Sequence, residues 1–166
     1  MINNLIILKN NDTLNFQEFN FRCSIGKKGL TSNKIEGDKK TPIGVFKLGN
    51  LFYRKDRVPM PKTNLKKIPI VRNMGWCNDP CDKNNYNKLI NINSIIKYEV
   101  LFRKDYKYNF FIPIKCNTKN KPYKGSAIFI HLTNNYKPTA GCIALDKKDF
   151  KILIKIIDKN TKIKIS

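Results

Sequence analysis

Among 166 residues there is a single histidine, His131, and there are five cysteines, Cys23, Cys77, Cys81, Cys116 and Cys142. A thiol works as an acyl-transfer nucleophile when a base removes its proton and donors stand ready for the oxyanion. Imidazole is the side chain whose ordinary pKa suits that base near neutral pH, so any such base here is His131. Cys142 is the thiol nearest to it in sequence, and Gly141 before it permits a tight backbone approach. Cys142 and His131 are therefore the candidate catalytic pair, and electropositive surroundings are expected to lower the thiol pKa. A plainer reading stays open. A histidine on a strand is often a hydrogen-bonded structural residue, and a cysteine in Gly-Cys-Ile-Ala-Leu is often a small buried hydrophobe.

The elements around the pair are built to aim it. Residues 126–132 (Ser-Ala-Ile-Phe-Ile-His-Leu) are apolar on both faces and predict a central, covered strand ending near His131. A loop over 133–140 then returns the chain to Gly141 and Cys142. After Ile143-Ala144-Leu145, Asp146 stands at a helix N-cap, and Phe150, Leu153, Ile154 and Ile157 follow at helical spacing, closed by Lys159-Asn160. Strands are also expected at 5–8, 14–23, 45–48, 100–103, 108–114 and 162–165, with a turn at Asn10-Asn11-Asp12 and an irregular loop over 26–44. Residues 54–88, with several prolines and the only tryptophan, read as a long structured loop without strands. Many short strands and one clear helix predict a mainly β domain with a helix packed on the sheet, α+β being the alternative.

Composition sets the class. A chain of this length with 41% apolar residues buries a core as one domain, 1–166, without staples. The net charge of +21 raises nucleic acid as a partner, but the cations are mostly Lys spread along the chain. No clustered Arg or recognition module appears, so no specific nucleic acid is expected. A polyanionic wall or membrane surface remains compatible with the charge. Cys77 and Cys81 lack enough partner ligands for zinc, so no metal is expected. The apolar run at the N-terminus is too short for a signal peptide or a membrane span. The chain is thus read as cytoplasmic, exported by an unread route, or lacking a removed leader.

Three ordered stretches add a resemblance. Ile130-His131…Pro138-Thr139-Ala140-Gly141-Cys142-Ile143-Ala144-Leu145 resembles the signature of the YkuD-type L,D-transpeptidase catalytic domain, where a His precedes Ser/Thr-His-Gly-Cys. Glu36-Gly37-Asp38-Lys39-Lys40-Thr41-Pro42-Ile43-Gly44 resembles its Gly-Asp-x-x-Thr-Pro-x-Gly loop. Gly75-Trp76-Cys77-Asn78-Asp79-Pro80…Tyr86-Asn87 resembles a segment of a short, compact branch. The resemblance implies a β-sandwich-like mixed sheet. It implies a cofactor-free cysteine peptidyltransferase acting on peptidoglycan stem peptides at the cell envelope, expected as a monomer. Cys142 would be the nucleophile and His131 the base, with backbone N–H groups of Gly141 and Cys142 as oxyanion donors and Thr139 in support.

Trp76, Asn78, Asp79 and Tyr86 would line the cleft, with a core aromatic and an Asp-Pro turn as competing readings for Trp76 and Asp79. Arg72 would attract stem-peptide carboxylates. Ala140 departs from the family's second His, which leaves the pair intact and alters the pocket. The same acyl-enzyme resolved by water would make a carboxypeptidase or amidase. A non-catalytic peptidoglycan-binding module would need neither Cys142 nor His131.

Overall fold

The computed structural model describes residues 4–92 and 96–166; Met1 to Asn3, read above for an export signal, lie outside them. In chain order the elements are β1 (Leu5–Lys9), β2 (Thr13–Phe16), β3 (Phe19–Ser24), β4 (Leu30–Thr31), β5 (Thr41–Pro42), β6 (Gly44–Lys47), β7 (Leu51–Tyr53) and β8 (Lys67–Pro69). There follow β9 (Met74–Cys77), β10 (Leu89–Asn91), β11 (Tyr98–Val100), β12 (Phe110–Pro113), β13 (Phe129–Leu132), β14 (Ile143–Leu145), α1 (Lys147–Ile156) and β15 (Lys162–Ile165). A 10-stranded mixed sheet runs β6-β15-β1-β2-β3-β14-β13-β12-β7-β8, and a 3-stranded sheet runs β10-β9-β11. This is the mainly β architecture with one helix that the sequence predicts.

The large sheet curls. Ile6 of β1, Leu14 of β2 and Ile163 of β15 share one core with Ile112 of β12, Ile130 of β13 and Phe150, Leu153 and Ile154 of α1. Side chains alternate along a strand, so the next residues of the central strands face the other way. There Phe52, Phe111 and Phe129 form a second cluster, against which Trp76 of the small sheet packs. Phe129 stacks on Phe111 with ring centroids 4.4 Å apart. β12 and β13 are thus buried along their whole length, which is why their sequences show no polar face.

Four local expectations are corrected. Residues 14–23 hold two strands, because Gln17 takes a left-handed φ of 54° and turns the chain. The buried apolar positions shift from even (Leu14, Phe16) to odd (Phe21, Cys23) across that turn. The stretch 54–88 contains β8 and β9, strands of 3 and 4 residues that are too short to show a period; Pro69 is tolerated because β8 is an edge. The strand expected at 100–103 is β11, which ends at Val100 as Leu101 turns into the second cluster and Arg103 N–H bonds Leu101 O. The helix also closes earlier than Lys159-Asn160, at Ile157, whose N–H caps Leu153 O. All five cysteines are free thiols. Among the described residues no helix is long and apolar enough to cross a membrane.

Asp146 caps α1 as expected, its carboxylate accepting from Lys148 N–H at 2.7 Å. Asp146→Ala is predicted to cost about 1 kcal/mol in urea denaturation. Phe150→Ala, which empties the contact between helix and curled sheet, is predicted to cost about 3–5 kcal/mol.

Candidate active site

The parallel pairing of β13 with β14 sets the geometry. Its register places Ile130 opposite Ile143 and His131 opposite Ala144. Cys142 therefore lies level with Phe129, two residues behind His131 on the neighbouring strand. With about 3.3 Å per residue and about 4.8 Å between strands, the two Cα atoms are roughly 8 Å apart. Both side chains fall on the face of the second cluster, and both line one cleft of about 390 Å³. Each is nearly buried, Cys142 at 8% and His131 at 7% exposure.

Hydrogen bonds define the resting state. Phe129 N–H donates to Cys142 Sγ at 3.3 Å, and the thiol donates to Ala127 O at 3.3 Å. His131 Nδ1 lies 2.8 Å from Leu132 O. A carbonyl oxygen only accepts, so Nδ1 carries the proton and Nε2 of the neutral ring holds the lone pair. Tyr108 meets the imidazole edge-on at 5.4 Å, and its hydroxyl donates to Glu99 at 2.9 Å. Arg103 bridges Glu99 and Asp105 beside it.

Burial governs the charges. It pushes the Cys142 thiol up to about 12, against the lowering by the Phe129 N–H. It pulls the His131 imidazole down to about 4. The sequence-based expectation of a lowered thiol pKa is thus reversed, because loss of water outweighs the nearby cations. Thiol and imidazole rest as a neutral pair.

Thr139 and Gly141 shape the turn into Cys142. Thr139 Oγ1 accepts from Gly141 N–H at 3.1 Å and donates to Cys142 O at 2.6 Å. Gly141 has φ of 142°, and a Cβ there would sit 2.9 Å from Lys40 O. Thr41, fully buried, donates to Gly141 O at 2.8 Å and accepts from Gly26 N–H at 2.9 Å. The Thr-Pro loop thereby clamps the turn into Cys142. Thr139 orders that turn and has no bond to His131.

The remaining candidates divide. Asn78 lines the cleft, and its Oδ1 is buried without a partner. Trp76 lies instead on a second cleft of about 490 Å³. It is tied to Cys142 through Asn87, whose Oδ1 accepts from both Trp76 Nε1 (3.0 Å) and Ala127 N–H (3.2 Å). That bond holds Ala127 at a left-handed φ of 52°, with its carbonyl on the thiol. Tyr86 is fully buried and donates to Glu36. Asp79 accepts from Cys81 N–H at 2.9 Å and makes a turn. Arg72 is exposed, lies over the Phe102 ring at 5.1 Å and does not line the cleft. Lys34, Glu36, Glu99 and Tyr108 line the cleft without having been singled out. Glu99 and Tyr108 carried no sequence signal, whereas Lys34 and Glu36 sat in or beside the Gly-Asp-x-x-Thr-Pro loop.

The crystal structure of the helical cell shape determining protein Pgp2 from Campylobacter jejuni shares the fold, with a TM-score of 0.54 and 18% identity. The alignment covers 96% of this chain and 46% of that one, so the chain spans about half the length of that relative. No curated protein matches. The model of the YkuD family, described as the L,D-transpeptidase catalytic domain, matches residues 3–165. The chain belongs to the YkuD family of L,D-transpeptidase catalytic domains.

Proposed function

We propose that this chain is one catalytic domain over 1–166 that transfers acyl groups of peptidoglycan stem peptides at the cell envelope through Cys142. The observation that carries the reading is the convergence of the one imidazole and a thiol in a single cleft, from adjacent parallel strands. Family membership supplies the substrate class.

In the proposed reaction the thiol turns from Ala127 O towards His131 Nε2. Sγ attacks the carbonyl of the third stem-peptide residue as Nε2 takes the thiol proton. The C–N bond breaks, the proton passes from Nε2 to the departing D-alanine nitrogen, and a thioester remains. An acceptor amine then attacks, gives its proton to Nε2 and forms the new amide as the thiol leaves and regains that proton. A neutral starting pair suits this sequence, because proton transfer accompanies attack and no separated ions need to persist in the closed cleft. Backbone N–H of Cys142 is assigned to the oxyanion, with Gly141 N–H joining when Thr139 Oγ1 releases it. Tyr108 holds the imidazole plane.

Purified tetrapeptide muropeptides incubated with the protein are predicted to give crosslinked dimers by mass spectrometry. None is expected with Cys142→Ala, and His131→Gln is expected to slow the rate by about 10²–10⁴. Monomeric tripeptides alone would assign a carboxypeptidase, and identical products from all three proteins would sink the reading.

Burial of His131 also makes a stability prediction. Above pH 6.5 the ring is neutral both folded and unfolded. As pH falls below that value the unfolded ring takes a proton that the folded ring refuses until about 4, so stability is lost between 6.5 and 4. Between those pH values the protein is predicted to lose on the order of 3 kcal/mol more than His131→Gln in urea denaturation. Equal losses would show that the imidazole is not held neutral.

A further inference from the structure

Two carboxylates line the cleft, Glu36 and Glu99. Glu99 already has a cation: Oε1 accepts from Tyr108 Oη and pairs with Arg103 at 3.3 Å. Glu36 is half-buried and is held on one oxygen only. Its Oε2 accepts from Tyr86 and from Ser126 Oγ at 2.7 Å, and both of those donors are neutral hydroxyls. Oε1 has no hydrogen-bond partner among the described residues, yet it is not among the sealed, unpartnered polar atoms. Oε1 is therefore not sealed from solvent, and Glu36 lines the cleft.

No cation among the described residues pairs with Glu36, although the chain carries 33 Lys and Arg against 12 Asp and Glu. Lys34, two residues away in the same cleft wall, is drawn off to Asp38 and to Ile35 O. The residue and its partner are also tied down: Glu36 N–H bonds Tyr123 O at 2.8 Å, and Tyr86 accepts in turn from Gly125 N–H at 3.1 Å. A fixed carboxylate with one open oxygen and no internal cation is built for a cation that arrives with the ligand. Several N–H donors on one compact charge make a primary ammonium a good match for a single open oxygen.

We infer that Glu36 Oε1 is the subsite for the side-chain ammonium of a diamino-acid residue in the peptide substrate. The inference rests on the cleft being a stem-peptide site and adds the group that selects among such peptides. A charge-assisted hydrogen bond in a partly desolvated cleft is worth about tenfold in affinity.

The test is calorimetric titration of the Cys142→Ala protein, which needs no turnover, with two tripeptides. One has a diamino acid with a free side-chain amine at its third position, and the other carries the N-acetyl derivative of that amine. Acetylation is expected to weaken binding about tenfold. Glu36→Gln in the same background should abolish the difference, since its amide oxygen still accepts from Tyr86 and Ser126. Ser126→Ala, which removes one of those hydroxyls and leaves the charge, should keep it. Equal affinity for the two peptides, a difference that survives Glu36→Gln, or no binding of the free-amine peptide would each overturn the inference. Acylation of Cys142 in the unsubstituted protein is a separate readout. Its absence would count against the acyltransferase reading and leave the binding comparison standing.

Discussion

The site depends on one register, that of β13 against β14. Parallel strands cannot be joined by a tight turn, and here the return path over 133–140 is short, so the loop must be held rather than left to close by chance. It is held at its far end, where Thr139 bonds the backbone on both sides of Gly141 and Thr41 grips Gly141 O. Slipping β14 by one residue would turn Cys142 into the core that contains α1, since side chains alternate across the sheet. The second cluster of Phe52, Phe111 and Phe129 prevents that slip by filling the face on which Cys142 and His131 open.

The same packing that fixes the pair also deprives it of water. Burial raises the thiol and lowers the imidazole, so the resting site stores neither a thiolate nor an imidazolium. In the proposed reaction the proton moves only in the complex with substrate, as the carbonyl is attacked. Two supports come from outside the pair. Asn87 links Trp76 to Ala127, whose carbonyl accepts the thiol's hydrogen bond, and Tyr108 links the imidazole to Glu99. Ala127 in a left-handed conformation costs energy that persists only because its neighbours over-determine it.

Much of the frame was legible in the residues. Asp146 and the helical spacing of Phe150, Leu153 and Ile154 mark α1, and the two-sided apolar run marks β13 as central. The mixed, mainly β architecture follows from the many short strands. The convergence of His131 and Cys142 on one cleft could be anticipated because the chain holds a single imidazole with a Gly-Cys pair soon after it. What stayed hidden is what local sequence cannot encode. β8 and β9 are too short to carry a period, and the hairpin at Gln17 shows itself only as a change of parity in buried positions. Tyr86 reads as a cleft residue until its burial is known, and Arg72 reads as a carboxylate binder in a chain where cations are everywhere. Glu99, Arg103 and Tyr108 meet beside His131 only through tertiary packing, and Glu36 reaches Tyr86 and Ser126 the same way.

Cys142, among five free thiols, is the proposed acyl carrier. The most direct test of that role is peptide-mapped mass spectrometry of the protein quenched in acid after brief exposure to a tetrapeptide donor. A thioester is expected on the peptide containing Cys142, heavier by the donor less free D-alanine, with unmodified peptides for Cys23, Cys77, Cys81 and Cys116. An adduct on another cysteine, or none at any quench time while the donor is consumed, would contradict it.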